Sequence, residues 1–281
     1  MRRRSFYGLT ALALGATLTL AGCAGNTDDG ASPAASSAAS VNGKTPAAGG
    51  GTAATTALTA DNFSVRLTAA QHAMKSVELD MMTVAAGQQI SVHGSVDMGG
   101  SSIAMDEVVN MPGTLSEMRV RTADGLVYMN VGEASHGKWI EFDPSDASDP
   151  IASQFKGLLD GGDPTQQVEA LKGAVTSLEP SGSFETIDGV KAQRYAVTVD
   201  SAKIGAALKN QIGAAAANLP KSVTYTYWIG DDDLVRKIES DVSGTQVRVT
   251  FSHWGEPVTI AAPPKSDILP GGIDSLTALE S

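Results

Sequence analysis

Two long stretches of this chain alternate apolar and polar residues, and this period of two constrains the fold more than any other feature. The first stretch runs from Val77 to Phe142 and the second from Phe184 to Phe251. Short alternating runs predict β-strands that bury one face and expose the other. The dipeptides Asp124-Gly125 and Asp188-Gly189 are typical of tight hairpin turns. We therefore predict about six antiparallel strands in the first stretch and further hairpins in the second.

Apolar residues spaced three and four apart predict helices before, between and within these runs. The predicted helices cover 59–75, 151–159, 164–180 and 201–219. The first would be capped by Thr59 or Asp61. Pro164 suits the first turn of the third helix, and Pro180 would end it. Because strands and helices do not alternate strictly, we predict the α+β class with a curved, mostly antiparallel sheet in a single domain.

The N-terminus predicts export and lipidation. Three arginines precede an uncharged run from Phe6 to Leu20, so residues 1–22 read as a signal peptide, and the arginines leave twin-arginine export open. Leu20-Ala21-Gly22-Cys23 matches the bacterial lipobox, and Cys23 is the sole cysteine. We predict a lipid anchor on Cys23 at the outer face of the cell membrane. The alternatives are a leftover thiol or a spanning helix, but a fifteen-residue helix measures only about 22 Å.

Composition divides the remaining chain into three parts. Residues 23–58 consist largely of small and polar residues, with Val41 and Leu58 as the only large aliphatic ones, so we expect a disordered tether. We predict a folded domain over 59–265 and a loose C-terminal tail over 266–281. The net charge of −11 becomes −14 when the three arginines of the signal peptide are removed. Such an acidic surface repels phosphate backbones, which argues against nucleic acid as a partner.

Residue patterns of common enzymes and metal sites are missing from the sequence. It has neither a Gly-x-Ser-x-Gly elbow nor a His-Glu-x-x-His motif, and its four histidines have no ligand spacing. Asp143, Asp146 and Asp149 lack the spacing of a calcium loop and favour a helix start. Asp231 to Asp233 favours a solvated turn. We therefore expect no catalytic residue, no cofactor and no metal.

All eight methionines after Met1 lie between Met74 and Met129. Methionine is flexible and polarizable, and adaptable binding surfaces use it often. Alternation places a set of apolar residues on inward faces, although a register slip of one residue would reverse the set in any strand. These cavity candidates are Leu79, Met81, Met105, Met118, Met129, Tyr225 and Val249. Two interpretations remain open, a lining for a ligand cavity and a methionine-rich packed core.

The last third of the sequence resembles a known family. The segments 227–238 and 249–258 resemble the strand–turn–strand and the closing strand of the LppX/LprA/LprF/LprG lipoproteins of actinobacteria. Asp188-Gly189-Val190 and Tyr195-Ala196-Val197 fit the central hairpin of that family. The resemblance implies a curved half-barrel wrapped over helices, similar to the LolA and LolB lipoprotein carriers.

The resemblance also implies a function. Family members hold acylated lipids or glycolipids in a cavity between sheet and helices and carry them across the envelope. The expected partners are the membrane, through the lipid anchor, and an acylated lipid or glycolipid ligand, with a membrane transporter as a further candidate. The alternative is a structural or signalling envelope lipoprotein with a filled core and no lipid cargo.

Overall fold

The computed structural model describes residues 57–100, 102–113, 116–146, 164–205 and 219–271. These ranges hold the helices α1 (Phe63–Ala73) and α2 (Pro164–Glu169). The strands are β1 (Ser76–Ala85), β2 (Gln88–Asp97), β3 (Ala104–Asn110), β4 (Glu117–Ala123), β5 (Leu126–Asn130), β6 (Ile140–Phe142), β7 (Val175–Ile187), β8 (Val190–Asp200), β9 (Ser222–Gly230), β10 (Val235–Val242) and β11 (Thr245–Ser252). The signal peptide, Cys23, nearly all of the tether, the helix predicted over 151–159 and most of that over 201–219 lie outside the described residues.

All eleven strands form one antiparallel sheet in the order β6-β5-β4-β3-β2-β1-β11-β10-β9-β8-β7. The chain enters at the centre with β1 and steps outward, strand by strand, to the edge at β6. It then returns from the opposite edge at β7 to β11, which pairs with β1. The sheet is curved and does not close. The predicted α+β class and its mostly antiparallel sheet are confirmed.

Hairpin turns join neighbouring strands where the sequence predicts them. Asp124 and Gly125 have φ values of 55° and 80°, and Asp188 and Gly189 have values of 51° and 71°. Positive φ at both central residues gives a turn whose twist matches that of the flanking strands. Aspartate and glycine tolerate this backbone better than other residues do, so the local sequence is sufficient to place these turns.

The first helix begins later than predicted. Asn62, rather than Thr59 or Asp61, occupies the N-cap position of α1, and its side chain does not cap the helix itself. Instead, the Thr59 N–H donates to Asn62 Oδ1 over 2.8 Å, and the Phe63 N–H donates to the Thr59 carbonyl over 2.9 Å. The turn ahead of α1 is thus closed by its own polar groups. The helix ends at Ala73, because Met74 has an extended backbone.

The helix predicted over 164–180 is mostly wrong. The helix α2 ends at Glu169, and the chain from Val175 onward is the edge strand β7. Gly173 has a φ of 73°, a value that interrupts helical backbone and that glycine adopts at little cost. Pro180 lies inside β7, where an edge strand tolerates a missing N–H. The pairing register also shifts between Pro180 and Phe184, so proline marks an irregularity instead of a helix end.

Residues 265–271 are not loose, contrary to the prediction of a free tail from 266 onward. The Trp139 N–H donates to the Asp267 carbonyl over 2.8 Å, and the Leu269 N–H donates to the Trp139 carbonyl over 2.7 Å. The Leu269 side chain packs against the hydrophobic core. This segment covers the sheet edge next to β6, which a short strand alone would leave with unpaired backbone groups. The remaining predicted tail, 272–281, lies outside the described residues.

The two larger hydrophobic clusters lie on one face of the sheet, which we call the inner face, whereas a third, small cluster of Ile187, Ala192 and Trp228 lies on the other face. The helix-side cluster joins α1 and α2 to both halves of the sheet and includes Phe63, Leu67, Val77, Val96, Met105, Tyr227 and Phe251. The β6-side cluster contains Val92, Val109, Met118, Val120, Val127, Val131, Ile140 and Phe142. Leu79 on β1 packs against both clusters. The inner face is therefore mainly apolar from the β6 edge to beyond the centre of the sheet.

Candidate functional site

Strand register builds one apolar row across the inner face. Residues directly opposite each other in antiparallel strands point to the same face of the sheet. Met81 on β1 pairs with Val92 on one side and with Val249 on the other. Followed in both directions, these pairs give the row Met118, Val109, Val92, Met81, Val249, Ile238 and Tyr227. The row crosses seven neighbouring strands, from β4 to β9, without a charged side chain.

All seven predicted cavity residues lie on this inner face. Met81, Met118 and Val249 belong to the row itself. The other four stand an even number of residues from inner-face positions, and they are Leu79, Met105, Met129 and Tyr225. Met105 and Met118 are buried, whereas the other five are half-buried. The structure therefore brings the candidates onto one face but distributes them between the two core clusters.

The helix α1 covers part of the inner face at the β9 side. The Phe63 ring meets the Tyr227 ring edge-on, with centroids 5.3 Å apart. Arg66 holds the helix through two hydrogen bonds to Asp233, from Nε over 2.9 Å and from Nη2 over 2.6 Å. A bidentate pair fixes orientation more firmly than a single bond. The aspartate turn, predicted to be only a solvated turn, thus also anchors the helix above the sheet through Asp233.

Tyrosine side chains line the inner face on β8 and β9. Burial raises the pKa of Tyr225 and, further still, that of Tyr227, whose ring lies within the helix-side cluster. Burial also raises the pKa of Tyr195. The Tyr195 hydroxyl donates to Gln193 Oε1 over 3.0 Å. These phenols therefore stay neutral at physiological pH and offer apolar rings with weakly polar tips.

One acidic residue, Glu107, which was not among the predicted site residues, lies among the apolar side chains of the inner face. It pairs with Gly94 on β2 and with Val120 on β4. A Cβ atom on Gly94 would stand 2.7 Å from Glu107 Cγ, so the glycine leaves the space that the glutamate stem occupies. Burial, with a smaller effect from Asp106, raises the pKa of Glu107 to about 7. The sequence carries a signal for this position, because strand alternation places Glu107 on the same face of β3 as Met105.

Two surface depressions lie away from the apolar row. One, of about 470 Å³, lies on the outer side of β1, β11, β10 and β9 and includes the ion pair of Arg248 with Glu239, 2.8 Å long. The other, of about 400 Å³, lies beside the end of α1, where the His253 N–H donates to Asp188 Oδ2.

In the described ranges no three histidine or acidic side chains could hold a metal ion. None of the described helices has the length and hydropathy to cross a bilayer.

A sequence profile of the LppX_LprAFG lipoproteins matches residues 66–260, which is well over half of the chain. The chain belongs to the LppX_LprAFG lipoprotein family. Among solved structures, LprF from Mycobacterium bovis has a TM-score of 0.52 at 18% identity, covering 73% of this chain and 96% of that one. The Mycobacterium tuberculosis lipoprotein LppX has a TM-score of 0.49 at 18% identity, covering 70% and 96%. No curated protein matches the sequence significantly.

Membership among the LppX_LprAFG lipoproteins confirms the family indicated by the last third of the sequence and implies a membrane-associated place in the cell envelope. The match begins at Arg66, so the whole meander from β1 to β6 belongs to the family domain, including the part that resembles the family only loosely in sequence. The likeness to LprF is one of fold, given the low identity. Cys23 and the tether precede the matched residues.

Proposed function

We propose that this LppX_LprAFG lipoprotein is held at the outer face of the cell membrane by a lipid on Cys23 and binds acylated lipids or glycolipids. It would carry them between layers of the envelope. The ligand chains would lie between α1 and the inner face of the sheet. The observation that supports this proposal best is the apolar row across seven strands, on the face that α1 partly covers.

The chemistry of the row favours acyl chains as ligands. Met81, Met105, Met118 and Met129 share the inner face. Their unbranched side chains fill irregular gaps and repack easily, so one site can accept chains that differ in length and saturation. The strongly acidic exterior disfavours lying flat on anionic headgroups. Transfer of acyl chains into the protein is therefore favoured over insertion of the protein into the bilayer.

The proposed role is non-enzymatic binding and release. A disordered tether over 24–58 would have a root-mean-square span of roughly 30 Å, which lets the folded body leave the membrane surface and return to it. Two acyl chains on Cys23 would keep the protein attached meanwhile, since each buried methylene contributes about 0.8 kcal/mol. A membrane transporter is the partner that would deliver or receive the lipid.

A second candidate function is a structural or signalling role, with the half-barrel filled by its own side chains. Met105 and Met118 expose only 2% and 5% of their surface, as residues of an ordinary core do. A filled inner face would pack at the density of a protein interior and carry no lipid. The two functions therefore differ in whether lipid enters the space above the methionines.

Lipid extraction separates the two candidates. The full chain carrying Cys23→Ala, which cannot be lipidated, is mixed with vesicles that contain a fluorescent phospholipid. We expect it to remove the lipid, and native mass spectrometry of the untreated protein should show co-purified acyl lipids. Absence of lipid in both measurements would exclude the carrier role in favour of the filled core.

In cells, Cys23→Ala should release the protein from the membrane fraction, and unchanged fractionation would disprove the anchor.

A matched pair of variants tests where the lipid binds. Met81 and Met82 are neighbours on β1, both half-buried, and they point to opposite faces of the sheet. Met81→Glu places a charge in the apolar row and should abolish extraction. Met82→Glu places the same charge opposite Arg248 on the outer face and should leave extraction unchanged. Equal effects of the two substitutions would show that the inner face is not the binding surface.

A further inference from the structure

The inner face of β1 to β6 and of β11 carries a single charged residue among its paired positions, Glu107. The positions that share its face are otherwise Val, Leu, Ile, Met, Phe, Ala, Gly, Thr or Gln. Only 8% of the surface of Glu107 is exposed. An ionisable side chain at such a position costs folding free energy unless a partner compensates it.

No described group compensates Glu107. None of the hydrogen bonds or ion pairs formed within the described part of the chain reaches its carboxyl. Its paired neighbours are Gly94 and Val120, and its neighbours along β3 on the same face are Met105 and Val109. The carboxyl oxygens therefore have no protein partner among the described residues, and they are not fully shielded from solvent.

Glu107 also stands at the boundary between the two core clusters. Met105, two residues before it, belongs to the helix-side cluster, whereas Val109, two residues after it, belongs to the β6-side cluster. Leu79, which touches both clusters, lies two strands away in the same register, with Gly94 between the two residues. A lipid whose chains covered both clusters would pass over this position.

The charges nearest to Glu107 lie on the other face of the sheet. From its own strand, Asp106 points outward and pairs with Arg121 over 2.5 Å. From β2 the outward neighbour is His93, which pairs with Asp80 on β1, and from β4 it is Arg119, which pairs with Glu117. No described cation faces Glu107 to stabilise the ionised carboxylate. Burial raises the pKa of the carboxyl to about 7, so it is largely protonated below neutral pH.

We propose that the Glu107 carboxyl hydrogen-bonds a neutral oxygen of the bound lipid, a hydroxyl or ester carbonyl at the root of an acyl chain. This inference rests on the proposed lipid-binding function. A protonated carboxyl both donates and accepts, as such an oxygen requires, and the bond supplies the partner that the protein itself does not provide. The residue thereby selects acyl lipids with an oxygen at this depth over plain hydrocarbon chains.

The test compares two probes and two substitutions in the full chain carrying Cys23→Ala. The probes are a fluorescent diacylglycerol and a hydrocarbon of equal chain length with the same fluorophore. Glu107→Gln keeps the polar end, and Glu107→Met keeps the unbranched stem without it. At pH 5.5 we expect the parent chain and Glu107→Gln to prefer diacylglycerol by roughly tenfold and Glu107→Met to show no preference. Circular dichroism checks that each chain is folded.

The pH provides the second arm of the test. At pH 8.5 binding of both probes to the parent chain should weaken severalfold, because an acyl chain must then cover an ionised carboxylate, while Glu107→Gln should bind equally at both pH values. If Glu107→Met still prefers diacylglycerol to the hydrocarbon, the inference is overturned. It is also overturned if the parent chain binds a lipid amine more tightly at pH 8.5 than at pH 5.5. If the parent chain binds neither probe, the proposed function itself fails.

Discussion

The two halves of the sheet build one inner face from different side chains. Strands β1 to β6 contribute methionines, whereas β8 and β9 contribute the tyrosines at 195, 225 and 227. A tyrosine ring is rigid and presents a large flat surface, while a methionine side chain has three rotatable bonds. The difference indicates a firm wall under α1 and an adaptable wall toward β6, so ligand variety would be accommodated on the methionine side.

The halves also differ in regularity. The strands from β1 to β6 pair without interruption. In the other half the register shifts between Val235 and Lys237 and at two places between β7 and β8. Extra residues of this kind bend a strand and increase its twist. The local bends of the open sheet therefore concentrate in the tyrosine half, where α1 is anchored through Asp233.

The largest expected effect is a loss of stability on substitution in the tyrosine half, under α1. Tyr227→Ala should lower the free energy of unfolding by about 3–5 kcal/mol, because it empties a fully packed site against Phe63. Tyr227→Phe keeps the ring and should change it by less than about 1.5 kcal/mol. Urea unfolding followed by circular dichroism measures both. A small loss for Tyr227→Ala would contradict the rigid packing assigned to this half.

The next effect concerns the methionine half and depends on pH. The pKa of Glu107 rises from 4.5 to about 7 on folding, so the folded state keeps a proton that the unfolded chain releases between these values. Stability should therefore fall as the pH rises from about 4.5 to about 7, by roughly 3 kcal/mol, and change no further through this residue above that. Glu107→Gln should lack this loss. Unfolding at pH 5 and pH 8 measures it, and identical pH slopes in both proteins would refute the assignment.

The smallest effect is expected where methionine is replaced by a residue of similar volume. Met105→Leu should cost less than about 1.5 kcal/mol, because the adaptable wall can repack around it. It should, however, narrow the range of chain lengths bound, measured with a series of fluorescent fatty acids. Met105→Ala is the control, because it leaves a cavity, and it should lower the free energy of unfolding by about 2–5 kcal/mol. A cost for leucine close to that for alanine would show that this wall is as rigid as the tyrosine wall.

Much of the inner face could be predicted because it depends on local rules. Alternation placed all seven cavity candidates on one face, and no strand slipped by a residue. The helix predicted over 164–180 was right only to Glu169, because Val175 fits a helical spacing as well as a strand and only its pairing with Val199 decides between them. Glu107 has the parity of Met105, but only the structure shows that this charged side chain is buried. That these residues form a binding site remains a prediction.

The sequence by itself determined the turns, the parity of the strands and the family, since backbone preferences and alternation act over a few residues. Tertiary structure decided the rest. The pairing of β1 with β11 joins residues about 170 positions apart, and no local signal specifies it. The packing of Leu269 beside β6 and the isolation of Glu107 between two clusters likewise depend on which distant strands become neighbours. Burial, and with it the raised pKa of that carboxyl, exists only after those strands have met.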